Sequence, residues 1–229
     1  MLIFIDIKIP SEAKKKLSAY GTLVEFFTTD IVYDAISGHP DIFFCQTPHD
    51  LIVAPNTPIT FIKILREHKI KFKMGKLSVG KKYPETARYN AVVTDKFLIH
   101  HNEIADEVIQ LQNSKLKMIQ VMQAYTRCNL LPLKNNHFIN SDKGIHKALN
   151  DKNCKVLYIS PDSIVLPGFD HGFFGGACGI CENKVFIIGN LKHFSDGEKV
   201  RNLLSELHYE IIELCDGPLF DGGSVMFVQ

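Results

Sequence analysis

The sequence predicts an α/β fold: one unit, strand–strand–helix–strand, repeated five times and closed into a ring. Three observations carry this. A hairpin followed by a helix and a further strand recurs along the chain, in pattern more than in identity. The first strands of the units begin at Asp41, Asn90, Asn129, Cys178 and Ser224, spaced 49, 39, 49 and 46 residues apart, with 46 again around the closure. Finally, the two ends, Met1–Ile7 and Ser224–Val228, are apolar strands that each lack a hairpin partner.

Taken in order, Asp41–Gln46 and Leu51–Ala54 flank a turn at Thr47–Asp50. Asn56-Thr57-Pro58 then sets a cap and a proline at a helix start, and the helix runs to about His68. Ile70–Met74 alternates as a strand. The second unit has Asn90–Val93, a turn at Thr94–Lys96 and Phe97–Ile99, then a helix over about Glu103–Asn113 and a strand over Leu116–Val121. In the third, Asn129–Leu133 and His137–Ile139 enclose Lys134–Asn136, Ser141-Asp142 caps a short helix, and Lys155–Ile159 follows. The fourth has Cys178–Cys181, a turn at Glu182–Lys184 and Val185–Ile188, a helix capped at Ser195-Asp196 and ending near Leu207, and Tyr209–Leu214. The fifth is split between the ends: Ser224–Val228 supplies its first strand, Ile3–Ile5 its second, then come a helix over Ser11–Ala19 and a strand over Leu23–Phe27. Five near-equal steps consume residues 1–229, so a single domain is expected. The competing arrangement is an open α/β sheet. Hairpins alternating with single helices argue against an all-parallel one.

Twenty-six lysines and arginines balance 25 acids. That leaves no basic footprint for nucleic acid or an anionic membrane. Lys14-Lys15-Lys16 reads as one solvated helix face. No stretch is long and apolar enough to cross a membrane as a helix. The first residues lack a basic leader and a cleavage site, and Asp6 interrupts their apolar run. A cytoplasmic setting is therefore expected, with the six cysteines as mostly free thiols. Gly175-Gly176 and Gly222-Gly223 fit no nucleotide-binding spacing, so no cofactor is expected. Cys178 and Cys181 are three apart in a strand and point to opposite faces, so no metal site is expected there.

Several segments add a family resemblance. Leu157–Asn190, Arg127–Leu133 with Ile139–Ser141, Pro40–Phe44 and Asp216–Val228 resemble, in order, segments of the guanidino-modifying superfamily, the penteins. Among these they resemble the dimethylarginine dimethylaminohydrolases in particular. The resemblance implies a five-bladed ββαβ α/β-propeller. It also implies hydrolase-like or transferase chemistry on a guanidinium: a thiolate attacks the carbon, a histidine handles protons, and carboxylates hold the planar cation. It places the histidine at His171 and keeps Asp41. It departs at the nucleophile, which falls at Gly223 or Phe227, and at the aspartate of the third unit, which falls at Asn129.

In a ring, Asp41, Asn90, Asn129, Cys178 and Ser224 converge on a central opening that takes a small-molecule ligand. Alternatively, they satisfy backbone groups where hairpins begin. Cys178, amid small residues in Phe174–Gly179, is the candidate for a displaced nucleophile, against a plain buried thiol. Cys128, beside Arg127, is a second candidate. Arg88 and Arg127 hold equivalent places two residues before an asparagine and suit an anionic ligand or a salt bridge. Asp221 and His39 complete the candidate binding set, and Asp170 beside His171 reads as a loop residue. Two functions follow. One is a divergent hydrolase or transferase of a small guanidino or amide metabolite, with His171, Cys178 and Asp41 catalytic. The other is a non-catalytic pentein that binds a small molecule or a protein.

Overall fold

A computed structural model describes residues 1–229. The chain opens with β1 (Leu2–Asp6), α1 (Ser11–Leu17) and β2 (Thr22–Phe26). Next come α2 (Pro40–Phe43), β3 (Phe44–Gln46), β4 (Leu51–Val53), α3 (Ile59–Glu67) and β5 (Phe72–Met74). The third group is β6 (Val92–Val93), β7 (Phe97–His100), α4 (Glu107–Gln112) and β8 (Lys117–Gln120). The fourth is α5 (Thr126–Asn129), β9 (Leu130–Pro132), β10 (His137–Asn140), α6 (Lys143–Asn150) and β11 (Lys155–Tyr158). Then follow β12 (Cys178–Cys181), β13 (Lys184–Ile187), α7 (Gly197–Glu206) and β14 (Glu210–Glu213), and β15 (Met226–Val228) ends the chain.

These strands form five three-stranded sheets of one design. The middle strand pairs antiparallel with the first and parallel with the third, and a helix makes the crossover, as a parallel neighbour requires. The split unit obeys the same rule. β15 pairs antiparallel with β1, with Leu2 opposite Val228 and Phe4 opposite Met226, and β1 pairs parallel with β2. The two ends of the chain thus meet in one sheet, as the sequence predicts.

The start of each unit differs from the expected strand. Asp41 lies in α2 and Asn129 ends α5, so the strands begin at Phe44 and Leu130. Pro40 explains the first case: its fixed φ suits the first helical turn, where its missing N–H costs nothing. Asn90 and Ser224 each sit two residues before their strands, and only Cys178 begins one. These short turns carry polar side chains inward and join neighbouring units. Asp41 N donates to Gly223 O (3.3 Å), Arg127 N to Asn90 O (3.0 Å) and Ser224 N to Gly176 O (2.7 Å). Asn90 Nδ2 donates to Asp41 O (3.1 Å) and Arg127 Nη1 to Gly175 O (2.8 Å). Every unit is therefore bonded to the next.

The helices bury one face each against these sheets. In α3 the buried side chains are Phe61, Ile62 and Leu65, at the spacing of one helical stripe. Phe26 packs against Phe43, Phe44 and Phe61 with ring centroids 5.3, 5.3 and 4.4 Å apart. Truncating a phenylalanine in such a position costs about 3–5 kcal/mol. β15 and the residue before it serve two apolar clusters: Met226 and Val228 face the one with Phe4 and Phe44, and Val225 and Phe227 face the one with Ile3 and Phe186. No helix is long and apolar enough to cross a membrane.

Candidate active site

Among the openings near the first strands, two bear on the site. One, of about 360 Å³, is lined by Phe44, Val92, Leu131, Ile180 and Met226, one from each sheet, and by Arg127. It gathers no acid–base pair. The other, of about 240 Å³, lies among the turns and loops that precede the strands. It is lined by His39, Cys128, His171, Asp170 and Asp221, with Tyr33, Tyr125, Phe169 and Phe173 as aromatic walls. The chemistry-bearing residues concentrate here.

Its floor is a buried polar network. Cys128 Sγ donates to Asp41 Oδ2 (3.1 Å), and Ser224 Oγ donates to the same oxygen (2.8 Å). Asn90 fixes Cys128 from both sides. Its Oδ1 accepts from Cys128 N (3.1 Å), and its Nδ2 reaches Cys128 Sγ (3.2 Å). Burial raises the Cys128 thiol well above its ordinary pKa, and the neighbouring Asp41 and Asp221 carboxylates add to the rise. On their own, these surroundings disfavour the thiolate, so Cys128 is no ready nucleophile. Ser224 adopts a left-handed φ of 78°, unusual for a side-chain-bearing residue, while its hydroxyl is held by Asp41.

Asp221 faces the cavity. Its Oδ2 accepts from Phe173 N (2.9 Å) and its Oδ1 from Gly223 N (3.0 Å). Burial raises its pKa and Asp41 raises it further, while His39 and the two backbone donors pull it down. Gly172 and Gly176 let this side chain approach, since a Cβ at Gly176 would overlap its carboxylate and one at Gly172 its Cβ. Asp6 is a third buried carboxylate, its pKa raised by burial, with Oδ2 3.7 Å from His39 Nε2. No lysine or arginine pairs with Asp6, Asp41 or Asp221.

His171 stands on the cavity wall. Its Nδ1 lies 3.0 Å from Gly172 O, and its ring meets Phe173 edge-on at 5.8 Å. Nδ1 is thus the protonated nitrogen, and Nε2 is left for other work.

The expected site residues divide three ways. His171, Asp221 and His39 line the cavity, and Asp41, Asn90 and Ser224 lie in the network beneath it. Cys178 does not share the cavity with His171. It is fully buried in the core cluster with Leu131, Phe174 and Ile187, and burial drives its thiol pKa strongly upward. The thiol on the wall is Cys128. Asn129 turns away: its Nδ2 donates to Tyr125 O (3.0 Å) and its Oδ1 accepts from Ser141 Oγ (3.1 Å). Arg127 donates to Gly175 O and Cys178 O, and Arg88 donates to Ser78 O and lies 3.7 Å from Glu85. Both arginines therefore tie backbone segments, and neither lines the cavity with His171. Both nucleophile registers are structural. A Cβ at Gly223 would overlap His39, and its φ is 62°. The Phe227 ring packs on Phe186 at 4.6 Å.

Sequence reasoning missed Asp6, Tyr33 and Tyr125. A carboxylate ending an apolar strand was the available signal for Asp6. The tyrosines, whose hydroxyls lie 3.3 Å apart, come from separate loops and gave none.

The same architecture occurs in solved structures of guanidino-modifying enzymes. A variant of Pseudomonas aeruginosa DDAH complexed with citrulline aligns with a TM-score of 0.54 and 11% identity, over 90% of this chain and 80% of that one. SxtG, an amidinotransferase from Microseira wollei in the saxitoxin biosynthetic pathway, gives 0.56 and 12%, over 94% and 88%. C. jejuni agmatine deiminase gives 0.53 and 10%, over 86% and 72%. The fold is thus that of the penteins. No curated protein matches the sequence. The chain belongs to the family described as "Family of unknown function (DUF6873)", whose model matches residues 4–226.

Proposed function

We propose that the chain is a divergent pentein that binds a small guanidino- or amide-bearing metabolite in the 240 Å³ cavity and cleaves or transfers its C–N-linked group. The observation that supports this most is the meeting of His171, His39, Cys128 and Asp221 around one small volume with aromatic walls. Three buried carboxylates without a lysine or arginine partner favour a cationic ligand, because a buried negative charge needs a nearby positive one. Asp221, on the wall, is the carboxylate that meets it. His171 is the general acid and base, and the aromatic rings of Tyr33, Phe169 and Phe173 exclude water and favour a planar cation. The unit-to-unit bonds support closure of the five sheets into a five-bladed α/β-propeller, which sets this cavity at one mouth of the ring.

A second reading is binding without turnover. It is favoured by Gly223 and Phe227, which leave no thiol at the family's position, and by the burial that disfavours a Cys128 thiolate.

Incubation with a panel of small guanidino and amide compounds, followed by mass spectrometry, separates the two. C–N cleavage that is lost in His171→Gln supports the enzyme. Saturable binding with every compound recovered intact supports the binder and overturns the catalytic reading.

A further inference from the structure

His39, Asp41 and Cys128 each offer a ligand atom, and these atoms lie within 4.8 Å of one another. The three are buried and held from behind. His39 is pressed by the backbone at Gly223, and Cys128 is clamped by Asn90. What marks the cluster is its unmet bonding capacity. Both ring nitrogens of His39 and Oδ1 of Asp41 are buried and have no hydrogen-bond partner. Native interiors seldom leave such groups orphaned without a ligand to explain them.

We propose that His39, Asp41 and Cys128 form a site for a zinc-like divalent metal, with one coordination position open to the cavity. The donor set selects the ion: an imidazole nitrogen, a thiolate and one carboxylate oxygen suit zinc, whereas magnesium and calcium require oxygen ligands. Three protein ligands are the number that leaves a tetrahedral ion one exchangeable position. A carboxylate for the second shell stands nearby. Asp6 Oδ2, itself without a hydrogen-bond partner, lies 3.7 Å from His39 Nε2, just beyond hydrogen-bond distance; a small ring adjustment on metal binding would close that gap and leave Nδ1 to ligate. His39 and Cys128 line the cavity, as does His171, so the open position faces the ligand volume.

This deepens the enzyme reading and rests on it for substrate class. A water activated at the open position replaces the thiolate missing at Gly223. Its oxygen adds to the guanidino or amide carbon and the C–N bond breaks. The departing amine takes the proton the water gives up, through His171, and no electron changes hands.

The test uses the full chain, stripped with chelator and titrated with Co²⁺ alone. One equivalent should bind, with a thiolate-to-cobalt charge-transfer band that Zn²⁺ then abolishes by displacement. Cys128→Ser should remove the band, and His39→Gln and Asp41→Asn should each weaken affinity at least tenfold. Cys181→Ser, at a half-exposed thiol outside the cluster, should change nothing. If Cys128→Ser loses its cooperative thermal transition, the near-isosteric Asp41→Asn carries the test. Absence of saturable one-equivalent binding by the native chain, or unchanged affinity in the folded ligand variants, overturns the site. The cobalt readout needs no substrate. A failed turnover assay therefore leaves it standing, and ligand binding with no cobalt band removes the metal alone.

Discussion

The Cys128 thiol donates to Asp41 Oδ2 across 3.1 Å, joining two helical turns 87 residues apart in the chain. Ser224 donates to the same oxygen from the last segment. One carboxylate thereby ties three units at the base of the cavity. Asp41→Ala strips the acceptor from both donors and leaves them buried. A loss of about 1–3 kcal/mol is expected, read from the urea midpoint at unchanged slope. An unchanged midpoint would mean that this junction contributes nothing to stability.

Thiol reactivity should follow burial. Cys181, the one cysteine that is not buried, should be alkylated by iodoacetamide in the native protein. Cys178, sealed in the core, should react only after unfolding, and Cys128 only slowly, since it is buried and its thiol donates to Asp41 although it borders the cavity. Peptide mapping of time-resolved alkylation gives the order. Rapid native labelling of Cys178 would contradict its burial in the core.

Gly223 cannot be used to restore the family's nucleophile. Its φ of 62° and its contact with His39 leave no room for a side chain. Gly223→Ala should cost about 1–3 kcal/mol for the backbone strain alone, and Gly223→Cys should fold poorly without gaining thiol-dependent turnover. Thermal melts of both variants, with the guanidino panel assayed on any folded fraction, check this.

The repeat was legible because it rests on period and punctuation: alternating apolar runs, Thr-Pro-His-Asp or Glu-Asn turns, and caps such as Asp142, whose Oδ1 does accept from Ile145 N (2.8 Å). The pairing of β1 with β15 followed from two strands without partners. The unit starts were less legible. Asp41 and Asn129 look like strand residues in sequence, but the chain makes a helical turn there to bond the next unit. The site was half legible. His171 came from the family resemblance, and Asp221 and His39 from polar residues in glycine-rich turns. The choice between Cys178 and Cys128 depends on how deeply each turn is buried, which one-dimensional spacing does not encode. Asp6 faces His39 only because Gly38 has no side chain: a Cβ there would overlap the Asp6 carboxylate.

Acid stability should carry the mark of His100. This imidazole is fully buried, with Nδ1 3.0 Å from Thr126 Oγ1, and burial, only partly offset by the Ala87 carbonyl, lowers its pKa to about 3. The folded pKa lies below the unfolded value near 6.5, so the unfolded chain takes up the proton first. The native state then holds its full margin above pH ~6.5 and loses it as pH falls toward ~3, by a few kcal/mol at most. His100→Gln should flatten that part of the urea stability profile, and an unaltered slope would exclude His100 as its source.

On the proposed function, the cavity beside His171 and Asp221 takes a small planar cation. The most direct measurement of this is a titration of the folded protein with methylguanidine, followed by NMR of the histidine ring resonances. Saturable shifts of the His171 ring, weakened at least tenfold in an Asp221→Asn variant that retains its thermal transition and absent with neutral methylurea, are the expected result. Shifts that do not saturate, or that persist unchanged in folded Asp221→Asn, would contradict it.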